Sequence, residues 1–212
     1  MRLQRDVSGI IHRGKNNLTN KEGLAWEALS QRDREILLMQ NAGKKFDISV
    51  VHAVAKRCRA GYPQVVVCLP FPYASQPFPT LLWLTCPYLM KKCGELESQR
   101  KISELEDIFK LRKSEVDKWH REYSSLRAEL ITRETENLIK GKSDRMWNTL
   151  MSSGAGGMDW HKAPSAVKCL HLQIAGYLGM KWHPAEDYLT AEFFTFECGQ
   201  RLCDNLLPKR NG

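Results

Sequence analysis

The sequence predicts an α+β protein: a small three-stranded antiparallel sheet flanked by helices, with a long charged helical hairpin or coiled segment. Two patterns carry that expectation. Residues 46–85 hold β-branched, alternating runs separated by Gly61-Tyr62-Pro63 and a proline-rich stretch. Residues 103–140 step their apolar side chains by threes and fours among charges. Size agrees, because 212 residues with 42% hydrophobic and 26% charged side chains can bury a self-sufficient core without staples.

Residues 1–29 mix Lys, Arg, Asn and Gly around few apolar side chains and read as a flexible basic arm; residues 30–212 read as a single α+β domain with a helical insertion at about 100–142. Ser30 with Asp33 caps a helix ended by Gly43. Strands follow at 46–57, 64–69 and 80–85, with a wide loop over 70–79. Pro87 suits the first position of a helix capped by Thr85 or Cys86.

Within 103–140 the stripe Leu105, Ile108, Val116, Trp119, Tyr123, Leu126 and Leu130 has one gap at Arg112. Its outer face offers the i,i+4 pairs Glu106–Lys110, Asp117–Arg121, Glu129–Arg133 and Glu136–Lys140. Ser143 caps a short helix that stops at the hinge 152–157. A buried helix after Pro164 ends at Gly179, and a last helix is expected over roughly 185–206.

The longest apolar runs, 65–70 and 81–84, fall far short of the roughly 20 residues that cross a bilayer. Arg2, Arg5, Arg13 and Lys15 precede no apolar export segment, so a cytoplasmic location is expected. Seven cysteines, an odd number without framework spacing, read as thiols or metal ligands rather than disulfides. The net charge of +8 admits a polyanion partner, but bases and acids interleave along most of the chain, so a basic soluble surface is the simpler reading.

Four blocks occur in one order: Arg57-Cys58 with Gly61 and Pro63; Pro77-Phe78-Pro79-Thr80 running into Leu84-Thr85-Cys86-Pro87; Gly156-Gly157-Met158; and Val167-Lys168-Cys169-Leu170-His171. Through them the chain resembles the bacterial domain-of-unknown-function family 501. It departs from that pattern after Gly179, where Lys181-Trp182-His183-Pro184 stands in place of an Asn-Pro-rich turn, and in its longer N-terminal arm. The family has no settled activity, so the resemblance implies no reaction.

Cys58 follows the first expected strand and Cys86 the third, which puts both at one end of an up-down-up meander. Cys169 and His171 would complete a tetrahedral zinc site of three thiolates and one imidazole. Against it, residues two apart on a regular helix diverge by about 200°, so either Cys169 or His171 would drop out. Buried, unliganded thiols are the competing reading. An iron–sulfur cluster is a weaker option, since the compact cysteine runs of ferredoxins are missing.

A thiol enzyme would use Cys86 or Cys169 as nucleophile, favoured by a helix N-terminus or by Arg57 and Lys168, with His171 or His161 as base. Anion binding would draw on Arg57 and Lys168 with the backbone of Gly156 and Gly157. Cys68, Cys93, Cys198 and Cys203 read as core, His52 as a sheet histidine, and His12 and His120 as solvent-facing. The expectation is therefore a non-enzymatic binding or regulatory protein with a Cys/His zinc site. The alternative is a thiol-dependent or phosphate- or polyanion-handling enzyme. Expected partners are an unidentified protein, or a second copy meeting through the long helices, with no membrane association.

Overall fold

The computed structural model describes residues 17–19, 23–71 and 77–206. Five strands form one antiparallel sheet in sequential order: β1 (Asn17–Thr19), β2 (Ala25–Ala28), β3 (Val51–Arg57), β4 (Pro63–Cys68) and β5 (Leu82–Leu84). The last three are the expected meander. β1 and β2 come from the region read as an arm, and Trp26 of β2 is buried in the main core. Leu24, Ala25, Trp26, Ala28 and Leu29 form an apolar run interrupted by Glu27 alone, without the period-two alternation that marks a half-buried strand, so periodicity does not reveal this one. His12 and most of the proline-rich loop lie outside the described residues.

β4 is buried along its whole length because both faces are covered. Val65 and Val67 point into the main core, whereas Val66 and Cys68 meet Leu37, Val50 and Val51 on the opposite side. The covering element on that side is α1 (Gln31–Gln40), opened by a capping box. The Asp33 N–H donates to Ser30 Oγ at 3.1 Å, and the Ser30 N–H to Asp33 Oδ2 at 3.0 Å.

The main core lies against the other face, beneath α2 (Pro87–Ser98), α3 (Lys101–Leu111), α4 (Lys113–Glu129), α7 (Leu170–Met180) and α8 (Glu186–Phe193). Between them α5 (Arg133–Lys140) and α6 (Asp144–Ser152) pack near α4. The charged segment is thus three helices, broken at Arg112, where the apolar stripe skips, and again at residues 130–132. Arg112 turns its guanidinium onto Asp187 at 2.7 Å and the Pro184 carbonyl at 2.8 Å. Leu105, Phe109, Trp119 and Tyr123 of this segment belong to the main core. Of the expected charge pairs, Asp117–Arg121 and Glu136–Lys140 form; Lys110 takes Asp107 instead, and Glu106 accepts the Val167 N–H at 3.2 Å.

Two further expectations are corrected. His120 is buried, not solvent-facing, because residues 154–160 cover α4: the Ala155 N–H donates to its Nδ1 at 3.2 Å, and Trp160 stacks on the ring at 5.3 Å. The last helix ends at Phe193, and Phe194 takes the left-handed φ of +54° that turns the chain back. Phe196 then stacks on Phe193 and meets Tyr177, while Gln64 Nε2 donates to its carbonyl at 2.6 Å. Aromatic residues at i and i+3 look the same in sequence on a continuing helix and on a folded-back turn.

No helix among the described residues is long and apolar enough to cross a membrane.

Candidate metal centre

α2 spans two groups of potential ligands. Cys86 is its N-cap, in extended conformation with Pro87 at the first helical position, and Glu97 lies in its last turn. At 1.5 Å per residue these ends are roughly 16 Å apart along the axis. Cys93, buried on the same helix face, sits between them.

At the Glu97 end, ligand atoms of Glu97, Cys169 and His171 all lie within 4.8 Å of one another. Glu97 Oε1 accepts the Leu170 N–H at 2.7 Å and stands 3.1 Å from His171 Nδ1. That interaction ties the C-terminal turn of α2 to the N-terminus of α7. The 200° divergence expected of residues 169 and 171 does not apply, because Cys169 is the N-cap of α7 with φ −170° and ψ 156°. Its extended backbone lets both side chains face Glu97.

The His171 pKa is raised above the ordinary imidazole value. Contact with the Cys169 sulfur is the largest cause, partial burial opposes it, and the Glu97 carboxylate adds to it. Beside the group lies a cavity of about 270 Å³, lined chiefly by Leu82, Trp83, Met90 and Leu172 with Lys168, Cys169 and His171. One thiol, one imidazole and one carboxylate are the donor types zinc accepts. Three protein ligands leave a tetrahedral ion one further position. Donors around a tetrahedral zinc stand roughly 3.5 Å apart, so modest side-chain rotation closes the group on an ion.

Glu97 was absent from the sequence-based set. Its one signal was electrostatic: a carboxylate in the last turn of a helix opposes the helix dipole.

The expected quartet is divided two and two. Cys58 and Cys86 line a separate cavity of about 570 Å³ at the opposite end of α2, together with Cys198 and Cys203. Cys58 opens the tight β3–β4 turn, in which its N–H donates to the Tyr62 carbonyl at 3.0 Å and Gly61 adopts φ +84°. Burial pushes the Cys86 thiol up to about 11, against the N–H groups of Leu89 and Tyr88, which pull it down. Cys68 and Cys93 are fully buried, and burial raises both thiols.

The four residues expected to bind an anion are not gathered. Arg57 pairs with Asp33 and Glu27 beside α1. Lys168, an exposed residue, donates from Nζ to the Gly156 carbonyl at 2.9 Å and so closes the glycine turn. Gly156 and Gly157 both have positive φ, and a Cβ on Gly157 would stand 2.7 Å from Pro79. The turn is a packed connector held against the residues before β5. His161 stacks on Trp160, whose indole N–H reaches Asp117 at 2.8 Å, on α4 and away from both cysteine groups.

The family model described as protein of unknown function (DUF501) matches residues 54–190, a span that includes Cys58, Cys86, Glu97, Cys169 and His171 and excludes Cys198 and Cys203. No curated protein and no solved structure matches the chain.

Proposed function

We propose that this chain, which belongs to the DUF501 family of proteins of unknown function, is a metal-binding protein whose ion is held by Glu97, Cys169 and His171. The observation that supports this most is the convergence of three different donors from two helices to within 4.8 Å. Zinc fits the set best: a borderline-soft ion accepts thiolate, imidazole and carboxylate together, whereas calcium and magnesium call for oxygen alone. Glu97 Oε1 and His171 Nδ1 already stand 3.1 Å apart, close to the spacing of two ligands on one tetrahedral ion, so Nδ1 is the nitrogen that would ligate beside the carboxylate. The ion would pin α2 to α7, and its remaining position would face solvent or a group on a binding partner. In this reading the protein is a binding or regulatory component and not an enzyme.

Metal analysis of untagged protein after dialysis tests it. About one zinc per chain is expected, falling to background in Cys169→Ser and in His171→Ala.

A second reading rests on the same geometry. Cys169 at the α7 N-terminus, His171 and Glu97 have the order of nucleophile, base and orienting carboxylate. Metal-free protein in which Cys169 is alkylated far faster than the other thiols, with the excess rate lost in His171→Ala, would favour it over the metal.

A further inference from the structure

Four of the seven cysteines line one cavity, and they reach it from three separate parts of the chain. Cys58 comes from the β3–β4 turn and Cys86 from the α2 N-cap, where the backbone N–H groups of Thr85 and Cys86 donate to the Gln64 carbonyl at 2.9 and 3.3 Å. Cys198 and Cys203 come from the segment that turns back after Phe194. Four hydrogen bonds lay that segment over the end of the sheet: Gln64 Nε2 to the Phe196 carbonyl (2.6 Å), the Arg59 N–H to Glu197 (2.9 Å), Tyr62 Oη to Asp204 (2.5 Å), and Gln40 Nε2 to Cys203 Sγ (3.3 Å).

We infer that Cys58, Cys86, Cys198 and Cys203 hold an iron–sulfur cluster. The ligand set is all thiolate, the set that such clusters take. Spacing separates a cluster from a single zinc. Sulfurs around one tetrahedral zinc stand about 3.8 Å apart, from a Zn–S bond of about 2.3 Å. Among the described residues, no three of these four sulfurs lie within 4.8 Å of one another. A polynuclear cluster interposes its own iron and sulfide between the thiolates, so it spans a wider ring. The cavity of about 570 Å³ has room for such a body, against roughly 30 Å³ for one water.

The surroundings suit an anionic centre. Arg59 and Arg201 line the cavity, Arg201 paired with Asp204 at 2.8 Å, and Glu197 is the one carboxylate among the lining residues. The Gln40 amide donates to Cys203 Sγ at 3.3 Å, and the backbone N–H groups of Tyr88 and Leu89 in the first turn of α2 face the Cys86 sulfur. Cys198 and Cys203 have four residues between them, the C-x4-C spacing that also occurs in plant-type ferredoxins.

The test is anaerobic purification of the full chain, with iron, acid-labile sulfide and zinc measured together and visible spectra taken before and after dithionite. The expected result is iron and sulfide in near-equal amounts, with a broad visible band that bleaches on reduction. Both fall to background in Cys198→Ser, a half-exposed position where misfolding is least expected, and in Cys203→Ser, with circular dichroism confirming that each variant is folded. Cys169→Ser retains iron and sulfide whether or not it loses zinc, which separates this site from the Glu97 group. Zinc bound by these cysteines without sulfide would overturn the inference. So would folded protein free of iron, after anaerobic reconstitution with ferrous iron and sulfide, in which all four thiols alkylate freely.

Discussion

Arg127 is fully buried on α4, and the five N–H donors of its guanidinium are all taken by neutral acceptors. Nε meets the Leu150 carbonyl at 2.7 Å, Nη1 those of Pro79 and Gly154 at 3.0 Å each, and Nη2 the Ser153 carbonyl and Ser124 Oγ. Burial lowers its pKa to about 10, which leaves it charged at neutral pH. One side chain thereby satisfies backbone groups at the end of α6, in the glycine turn and before β5. Arg127→Met keeps the volume but strips those carbonyls of their donors, so a loss on the order of 3 kcal/mol or more is expected. Urea unfolding would report it as a lowered midpoint at unchanged slope; a cost under about 1 kcal/mol would mean the turns hold without the arginine.

At the scale of elements, the contact between α4 and α7 depends on a glycine. A Cβ on Gly176 would lie 2.6 Å from Cζ2 of Trp119, which is itself fully buried. Alanine at 176 gains up to about 1 kcal/mol in helix propensity, yet overpacking a rigid indole costs about 1–3 kcal/mol, so Gly176→Ala should lower the melting temperature. Among the described residues nothing lies within 4 Å of a Cβ on Gly94 of α2, and Gly94→Ala should raise it. If both changes move stability in the same direction, the steric account of the α4–α7 contact fails. Helix ends were legible at this scale wherever a local signal marks them: Ser30 with Asp33, Pro87 after Cys86, Ser143 before α6. The turn at Phe194 was not, because its cause is the long-range grip of Gln64 and Tyr177 on Phe196.

Over the whole molecule, two buried neutral histidines set the response to acid. His183 Nδ1 accepts the Ala185 N–H at 3.1 Å while Nε2 stands 2.8 Å from Gln173 Oε1, and burial lowers its pKa to about 3. His120 accepts the Ala155 N–H in the same way, and burial lowers it to about 4. Each gains a proton near pH 6.5 when unfolded, so the unfolded chain binds more protons between that value and the folded one. Stability is therefore full above about pH 6.5 and falls as pH drops toward 4 and then 3, by at most about 1.4 kcal/mol per pH unit for each histidine. Denaturant titrations at pH 7.5 and 5 check this; equal midpoints would show that the histidines stay neutral in the unfolded chain or charged in the folded one.

The sequence by itself determined the α+β class, the β3–β5 meander, the caps and the candidacy of Cys58, Cys86, Cys169 and His171, because propensity, periodicity and capping act within a few residues. Only the tertiary structure decided which of those residues meet. Cys169 and His171 find Glu97 because α7 begins with an extended cap against the end of α2. Cys58 and Cys86 share a cavity with Cys198 and Cys203 because the chain after α8 turns back over the sheet. Such meetings are set by packing between segments tens of residues to more than a hundred apart, and nothing local in the sequence encodes them.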